Sequence, residues 1–299
     1  MPFTRAAASR PASFTLALLL LAGCATTVPY RGAGPHPQLE RGGPVPIVDF
    51  LGNVLALPIK LILWDWRFAN HYVSPATEEV LIGYLNAGDL PAFKDARFQL
   101  NEYRPDQDLS RLIKNRYVAW PYRLLIGFPV TLLSDVLLPG RLFPWGDYYN
   151  PYTNTVHLFS DHPAIALHEA GHVTDFARRR WKGTYAFCRL IPGVDLYQEA
   201  KATGEAIGYL KTISDQPGEL GAYKILYPAY GTYIGGYVFA PIGTVVGALL
   251  GHVTGRSKAA AQQRRYERMD DAATSVSTAP APTPTFSTPP APEPAAVAP

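Results

Sequence analysis

Hydrophobic positions change their rhythm several times along this chain. Between residues 45 and 145, apolar runs alternate with prolines. Residues 47–66 and 124–138 share a loose order: apolar, Pro58 or Pro129, apolar, then Asp65 or Asp135. Neither run is a clean ~20-residue membrane span, so each predicts core helices or segments lying against a bilayer surface. Between them, Ser74-Pro75 opens a helix that stops near Gly88, because a serine hydroxyl can cap first-turn N–H groups and proline suits the first turn. Asp89-Leu90-Pro91 opens another predicted helix reaching about Tyr103, and a third covers about residues 108–117. Residues 153–159, with β-branched and aromatic side chains, read as a strand that could offer its edge to a peptide.

The next helix has an uncharged lead, Pro163-Ala164-Ile165-Ala166-Leu167, and an uncharged sequel, Val173-Thr174, which predicts a buried helix. Ser160 or Asp161 can cap it, and Arg178, Arg179 and Arg180 complement its dipole at the far end. On a helical wheel over residues 195–213, Leu196, Ala200, Thr203, Ala206, Ile207, Leu210 and Ile213 form one stripe. Gln198, Lys201, Glu205 and Thr212 form the opposite one. Glu199 falls within the apolar stripe, whereas Glu205 reads as a surface charge.

From Gly231 to Val253 there is no acid, lysine or arginine, and Gly243, Gly247, Gly251 and Gly255 recur every fourth residue. Four glycines on one helix face allow close helix contact, and the stretch resembles glycine-zipper membrane segments. Tyr223, Tyr227, Tyr230 and Tyr233 stand at one end and Arg256, Lys258, Arg264 and Arg265 at the other. The alternative is a glycine-rich hairpin bent at Pro241. Beyond about Ala272 the Ala, Pro, Thr and Ser content predicts a disordered tail.

Composition narrows the function classes. A net charge of +3 is too small and too scattered to argue for nucleic acid as a partner. The first residues carry Arg5, Arg10 and an apolar core from Phe14 to Leu21, the features of a secretion signal. Its end, Leu21-Ala22-Gly23-Cys24, resembles the bacterial lipobox, which implies acylation of Cys24 and a membrane anchor. Of the two cysteines, Cys188 would then have no intrachain partner, which excludes a disulfide framework.

The chemistry concentrates in His168-Glu169-Ala170-Gly171-His172, an H-E-x-x-H pattern. Residues four apart share a helix face, so both imidazoles can reach one zinc ion at ~2.0–2.1 Å while Glu169 takes a proton from a bound water. A buried acid needs a cation, a strong hydrogen-bonding partner or a metal. Glu199 is therefore the candidate third ligand, or an acid paired with an arginine such as Arg189. The oxyanion-stabilising group is open among Tyr197, Tyr209 and His157.

Together these residues resemble the gluzincin branch of the zincin metallopeptidases over about residues 150–212. The resemblance implies zinc on His168, His172 and Glu199, with Glu169 as general base. The position four residues after Glu199, often acidic in that branch, is Thr203 here. Asp175 is then the candidate for the outer contact, or an acid paired with Arg178 or Arg179.

The expected fold is α+β and mostly helical: a zincin-like helix beside a small sheet, a glycine-rich hydrophobic segment and a disordered tail. The expected divisions are a signal peptide (1–23), tether (24–44), helical apolar region (45–145), metal-site core (146–215), glycine-rich segment (216–256) and basic, then Pro/Ala-rich tail (257–299). The expected function is a lipid-anchored zinc peptidase at the periplasmic or outer face of the envelope, acting on peptides or proteins. Against it stands a non-enzymatic envelope lipoprotein with a structural or vestigial metal site.

Overall fold

Four short strands, β1 (Leu39–Arg41), β2 (Arg97–Leu100), β3 (Tyr148–Asn150) and β4 (Thr155–Leu158), make one sheet in the order β1-β2-β4-β3. β1 and β4 flank β2 in parallel, and β3 lies antiparallel to β4. The computed structural model describes residues 36–143 and 146–277. The signal, Cys24 and the Pro/Ala-rich end lie outside the described residues.

Helices supply the rest: α1 (Pro46–Leu55), α2 (Leu57–Leu63), α3 (Pro75–Ala87), α4 (Pro91–Lys94), α5 (Pro105–Lys114), α6 (residues 120–137), α7 (Pro163–Arg178), α8 (Lys182–Cys188), α9 (Val194–Thr212), α10 (Gln216–Phe239) and α11 (Ile242–Ser277). The fold is thus mostly helical with a small mixed sheet, as the hydrophobic patterning predicts.

Helix α7 carries the H-E-x-x-H residues and is buried at every position from Ala164 to Ala177. One sheet face contributes Phe98, Leu100, Val156 and Leu158, which share a core with Leu167, Ala170 and Val173. On another side α9 comes close: a Cβ at Gly171 would lie 2.9 Å from the Ala202 carbonyl oxygen. The glycine inside the motif therefore lets α9 approach, and Glu199 sits one turn before that contact.

Three local expectations need correction. The helix foreseen over residues 89–103 stops at Lys94, and Arg97–Leu100 forms β2. Pairing on both sides, to β1 and β4, outweighs the helix start at Pro91. Helix α7 is capped by neither Ser160 nor Asp161. The Asp161 carboxylate instead accepts from the Ser74 N–H at 2.9 Å and the Thr77 hydroxyl at 2.7 Å, and His162 Nδ1 accepts from the Ala164 N–H at 3.2 Å. Finally, the buried side of α9 is Gln198, Glu199, Ala202, Ala206, Ile207 and Leu210. Gln198 turns inward because Arg189 and the Tyr185 carbonyl satisfy its amide, while Ile213 is left exposed. Ser74 does cap α3 as expected.

The glycine-rich segment is a helical hairpin. Helices α10 and α11 run antiparallel around Ala240-Pro241, with Gly231 against Gly247, Gly235 against Gly243, and Gly251 and Gly255 against the Tyr227 and Tyr223 backbones. The close-contact face is as the spacing predicts, yet no single described helix is long and apolar enough to cross a membrane. The pair α1 and α2, bent by 52°, reaches that length and composition only together. Outward from the hairpin tip, Val238, Phe239, Ile242 and Val246 are exposed, as are Ile47, Leu51 and Leu61 on α1 and α2 and Leu124, Leu125 and Leu137 on α6. Helix α2 meets the hairpin through Trp64, stacked on His252 with ring centroids 3.9 Å apart. The basic stretch foreseen as the start of a tail from 257 is helical instead, since α11 continues to Ser277. The chain divides into two compact units at residue 260.

Candidate metal centre

His168 and His172 project from one face of α7, their Nε2 atoms 3.2 Å apart and their rings nearly perpendicular at 87°. Helix α9 brings Glu199 onto both: Oε2 is 3.0 Å from His168 Nε2 and Oε1 is 3.4 Å from His172 Nε2. All three side chains are buried. A tetrahedral cation with bonds of ~2.0–2.1 Å separates its ligand atoms by ~3.3–3.4 Å. The Nε2–Nε2 separation is close to that edge, Glu199 meets the two rings through different oxygens, and with one ligand atom from each residue all three lie within 4.8 Å of one another, so the set could hold a divalent cation.

Electrostatics favour the ligating, neutral form at His172 but not at His168. Burial pushes His172 down to about 4, against the pull of Glu199, so it is neutral near pH 7, the form that ligates. Burial also opposes ionisation of Glu199, but the neighbouring imidazoles and their hydrogen bonds hold it well below the usual carboxylate range. His168 is raised, with burial overcome by its hydrogen bond to Glu199. Glu169 is pushed up to about 8, first by burial and then by the nearby Glu199 and Asp147 carboxylates, with His168 opposing.

Partners around the ligands differ in part from expectation. Arg189 Nη2 donates to Glu199 Oε1 at 2.5 Å, and Nη1 donates to Gln198 at 3.2 Å. The two readings of Glu199 are therefore compatible, because one carboxylate faces the imidazoles and the guanidinium together. The Thr203 hydroxyl lies 3.3 Å from His168 Nδ1, so the residue four after Glu199 supplies the outer contact itself. Asp175 is held instead by Arg179 and the Tyr185 hydroxyl, and lines the cleft without bonding to either imidazole. Glu205 is paired with Arg178 at 3.0 Å rather than left to solvent.

Two openings reach the centre. A cleft of about 80 Å³ is lined by Tyr149, Glu169, His172, Arg189, Glu199 and Tyr233. A cavity of about 180 Å³ is lined by Phe68, Ile165, His168, Glu169, Glu199 and Tyr233 among others. Glu169, Glu199 and Tyr233 belong to both. Tyr233 on α10 was not singled out by sequence reasoning, since it sits in a tyrosine run that also fits an interfacial belt. Its hydroxyl is raised above the usual phenol range, chiefly by the Glu199 charge, although the residue is 40% exposed. None of the three oxyanion candidates lines either opening. The Tyr197 hydroxyl faces Arg179, the Tyr209 ring lies edge-on to Tyr84, and His157 stacks on Tyr148. The expected substrate edge shifts as well: β4 is paired on both sides, and of the two edge strands among the described residues, β1 and β3, it is β3 that borders the cleft, through Tyr148 and Tyr149.

No protein-family model, curated protein or solved structure matches this chain.

Proposed function

We propose that this chain is a zinc-dependent peptidase anchored to a membrane through Cys24 and acting at the periplasmic or outer face of the envelope. The observation that carries the reading is the convergence of His168, His172 and Glu199, buried and with one ligand atom from each within 4.8 Å of the others, a three-ligand set that would leave a fourth position for water. Zinc held there would polarise a peptide carbonyl and acidify its attacking water. Glu169, beside the ligands and open to both cavities, accepts the proton of that water and delivers it to the leaving amine. With a cation held there, the proton affinity of Glu169 would fall from its raised value toward that of a base. Tyr233, which lines both openings, would donate its hydroxyl to the developing oxyanion. Thr203 orients His168 through Nδ1, and Arg189 orients Glu199. An extended peptide would add to the β3 edge, next to the cleft.

The exposed apolar side chains of α1, α2, α6 and the hairpin tip support contact with a bilayer surface near the anchor. The openings favour a second reading, a non-enzymatic lipoprotein with a structural metal site, since 80 and 180 Å³ are below the ~300–1,000 Å³ of small-molecule sites. One comparison separates the two. The zinc-loaded Glu169→Gln chain keeps its metal and loses cleavage of a peptide library by about 10²–10⁴-fold. Cleavage equal to the unaltered chain would end the peptidase mechanism; no chelator-sensitive cleavage by either would favour the structural site.

A further inference from the structure

The face of the sheet turned away from α7 carries a second buried cluster. Strand alternation sends Phe98 and Val156 toward α7 and sends Gln99 and His157 the other way, side by side in register. Tyr148 of β3 is the partner of His157 on its other side, and the two rings stack with centroids 4.5 Å apart. Helices α5 and α6 supply an acid each, Asp108 and Asp135. Asp108 is 1% exposed, Asp135 2% and His157 4%, so water reaches none of them freely. One ligand atom from each lies within 4.8 Å of the other two.

The hydrogen bonds fix the acids without neutralising them. Asp135 Oδ1 accepts from the Tyr148 hydroxyl at 2.9 Å and the Ser134 hydroxyl at 2.6 Å, and Oδ2 accepts from Asn150 Nδ2 at 2.7 Å. Asp108 Oδ1 accepts from Gln99 Nε2 at 3.2 Å. Two buried polar atoms beside them, His157 Nε2 and Gln99 Oε1, have no hydrogen-bond partner. Unpartnered buried groups of this kind cost about 1–3 kcal/mol each. Two carboxylates packed together without a cation are costlier still, and burial and Asp135 push Asp108 up to about 8. Arg111, whose charge opposes that rise, directs its hydrogen bonds to the Thr153, Asn154 and Asp95 carbonyls rather than to Asp108. Asp135 also lies in a π-helical stretch, Leu132–Leu137, a local widening found often at functional sites.

We propose that Asp108, Asp135 and His157 form a second, structural site for a divalent first-row cation such as zinc, clamping α5 and α6 to the back of the sheet. Two carboxylates and an imidazole make a mixed oxygen and nitrogen set suited to such a cation. The orphaned imidazole nitrogen is the sign of the ligand, because the acids alone could share a proton. The proposal stands apart from the peptidase reading, since the two clusters lie on opposite faces of the sheet and share no residue.

The test uses the full chain in detergent with His168→Ala and His172→Ala, which removes the first centre. After zinc loading and dialysis, this folded protein retains about one zinc per chain, and adding His157→Gln releases it. Zinc also raises the unfolding temperature of the double variant and fails to raise that of the triple. A folded double variant that binds no zinc, the cluster holding only a shared proton, overturns the proposal. If the triple variant does not fold, crystals of the zinc-loaded unaltered chain decide: an anomalous peak among Asp108, Asp135 and His157 supports the site, and its absence overturns it. Failure of the first centre alone would leave this second signal in place.

Discussion

Alanine at Gly247 and alanine at Gly208 should shift stability in opposite directions, although both glycines lie inside helices. Helix propensity alone favours either substitution by about 0.8–1.0 kcal/mol. At Gly208 on α9 nothing stands within 4 Å of the added Cβ, so the propensity gain survives. At Gly247 the Cβ would lie 2.9 Å from the Gly231 carbonyl carbon and 3.1 Å from Gly235 Cα, with the Gly231 oxygen nearer still. Both neighbours are backbone, so α10 must move away from α11. Overpacking of that kind costs about 1–3 kcal/mol, which offsets the propensity gain and leaves a net loss of up to about 2 kcal/mol. The two variants should then differ by about 1–3 kcal/mol, or roughly 2–12 °C in unfolding temperature for a body of this size. Thermal and urea unfolding of the zinc-loaded chains measure the difference. Gly247→Ala should also lower peptide cleavage, because Tyr233 lies on α10 between Gly231 and Gly235. A Gly247→Ala protein as stable as Gly208→Ala would refute the close helix contact.

Other outcomes follow from the same geometry. Thr203→Val removes the hydroxyl from His168 Nδ1 and should weaken zinc binding by about 10–100-fold, read by chelator competition. Arg189→Met should destabilise the metal-free chain by about 1–3 kcal/mol, below the usual cost of breaking a buried pair because this side chain is 35% exposed. The loss should shrink when zinc is bound, and an equal loss in both states would argue that Glu199 is only an ion-pair partner. His162 is held at about 4 mainly by burial, so between pH 6.5 and 4 the unfolded chain binds the proton and the folded chain does not. Stability should therefore fall as pH drops through that window, by up to about 3 kcal/mol, as protonation also removes the Nδ1 cap of α7. A His162→Asn variant keeps a capping group and should show a flatter acid limb in denaturant unfolding.

Legibility in the sequence followed the range of the interactions. The buried helix α7 was readable because its uncharged flanks are a local property, as is the i, i+4 spacing that puts both histidines on one face. Glu199 was readable because an acid among Ala202, Thr203 and Ala206 asks for a partner. Gln198 was misplaced because the groups that receive its amide, Arg189 and the Tyr185 carbonyl, lie outside its own helix. The cap of α7 was misassigned for the same reason: Asp161 is drawn to Ser74 and Thr77, 87 and 84 residues away. Strand β2 is only four residues long, too short for its alternation to outweigh a proline-led helix start. Glycine spacing revealed which face of α11 touches α10, and Pro241 marked the break, but length and hydropathy could not distinguish a hairpin from a span. Tyr233 reaches the centre only through that hairpin, so no local pattern pointed to it.

The account rests on a cation seated between α7 and α9. Crystals of the zinc-loaded chain, measured on both sides of the zinc absorption edge, test this most directly. The account predicts an anomalous peak ~2.0–2.2 Å from His168 Nε2, His172 Nε2 and a Glu199 oxygen, lost in His168→Ala crystals. No peak there in zinc-loaded crystals, with Glu199 engaged only by Arg189 and the imidazoles, would contradict it.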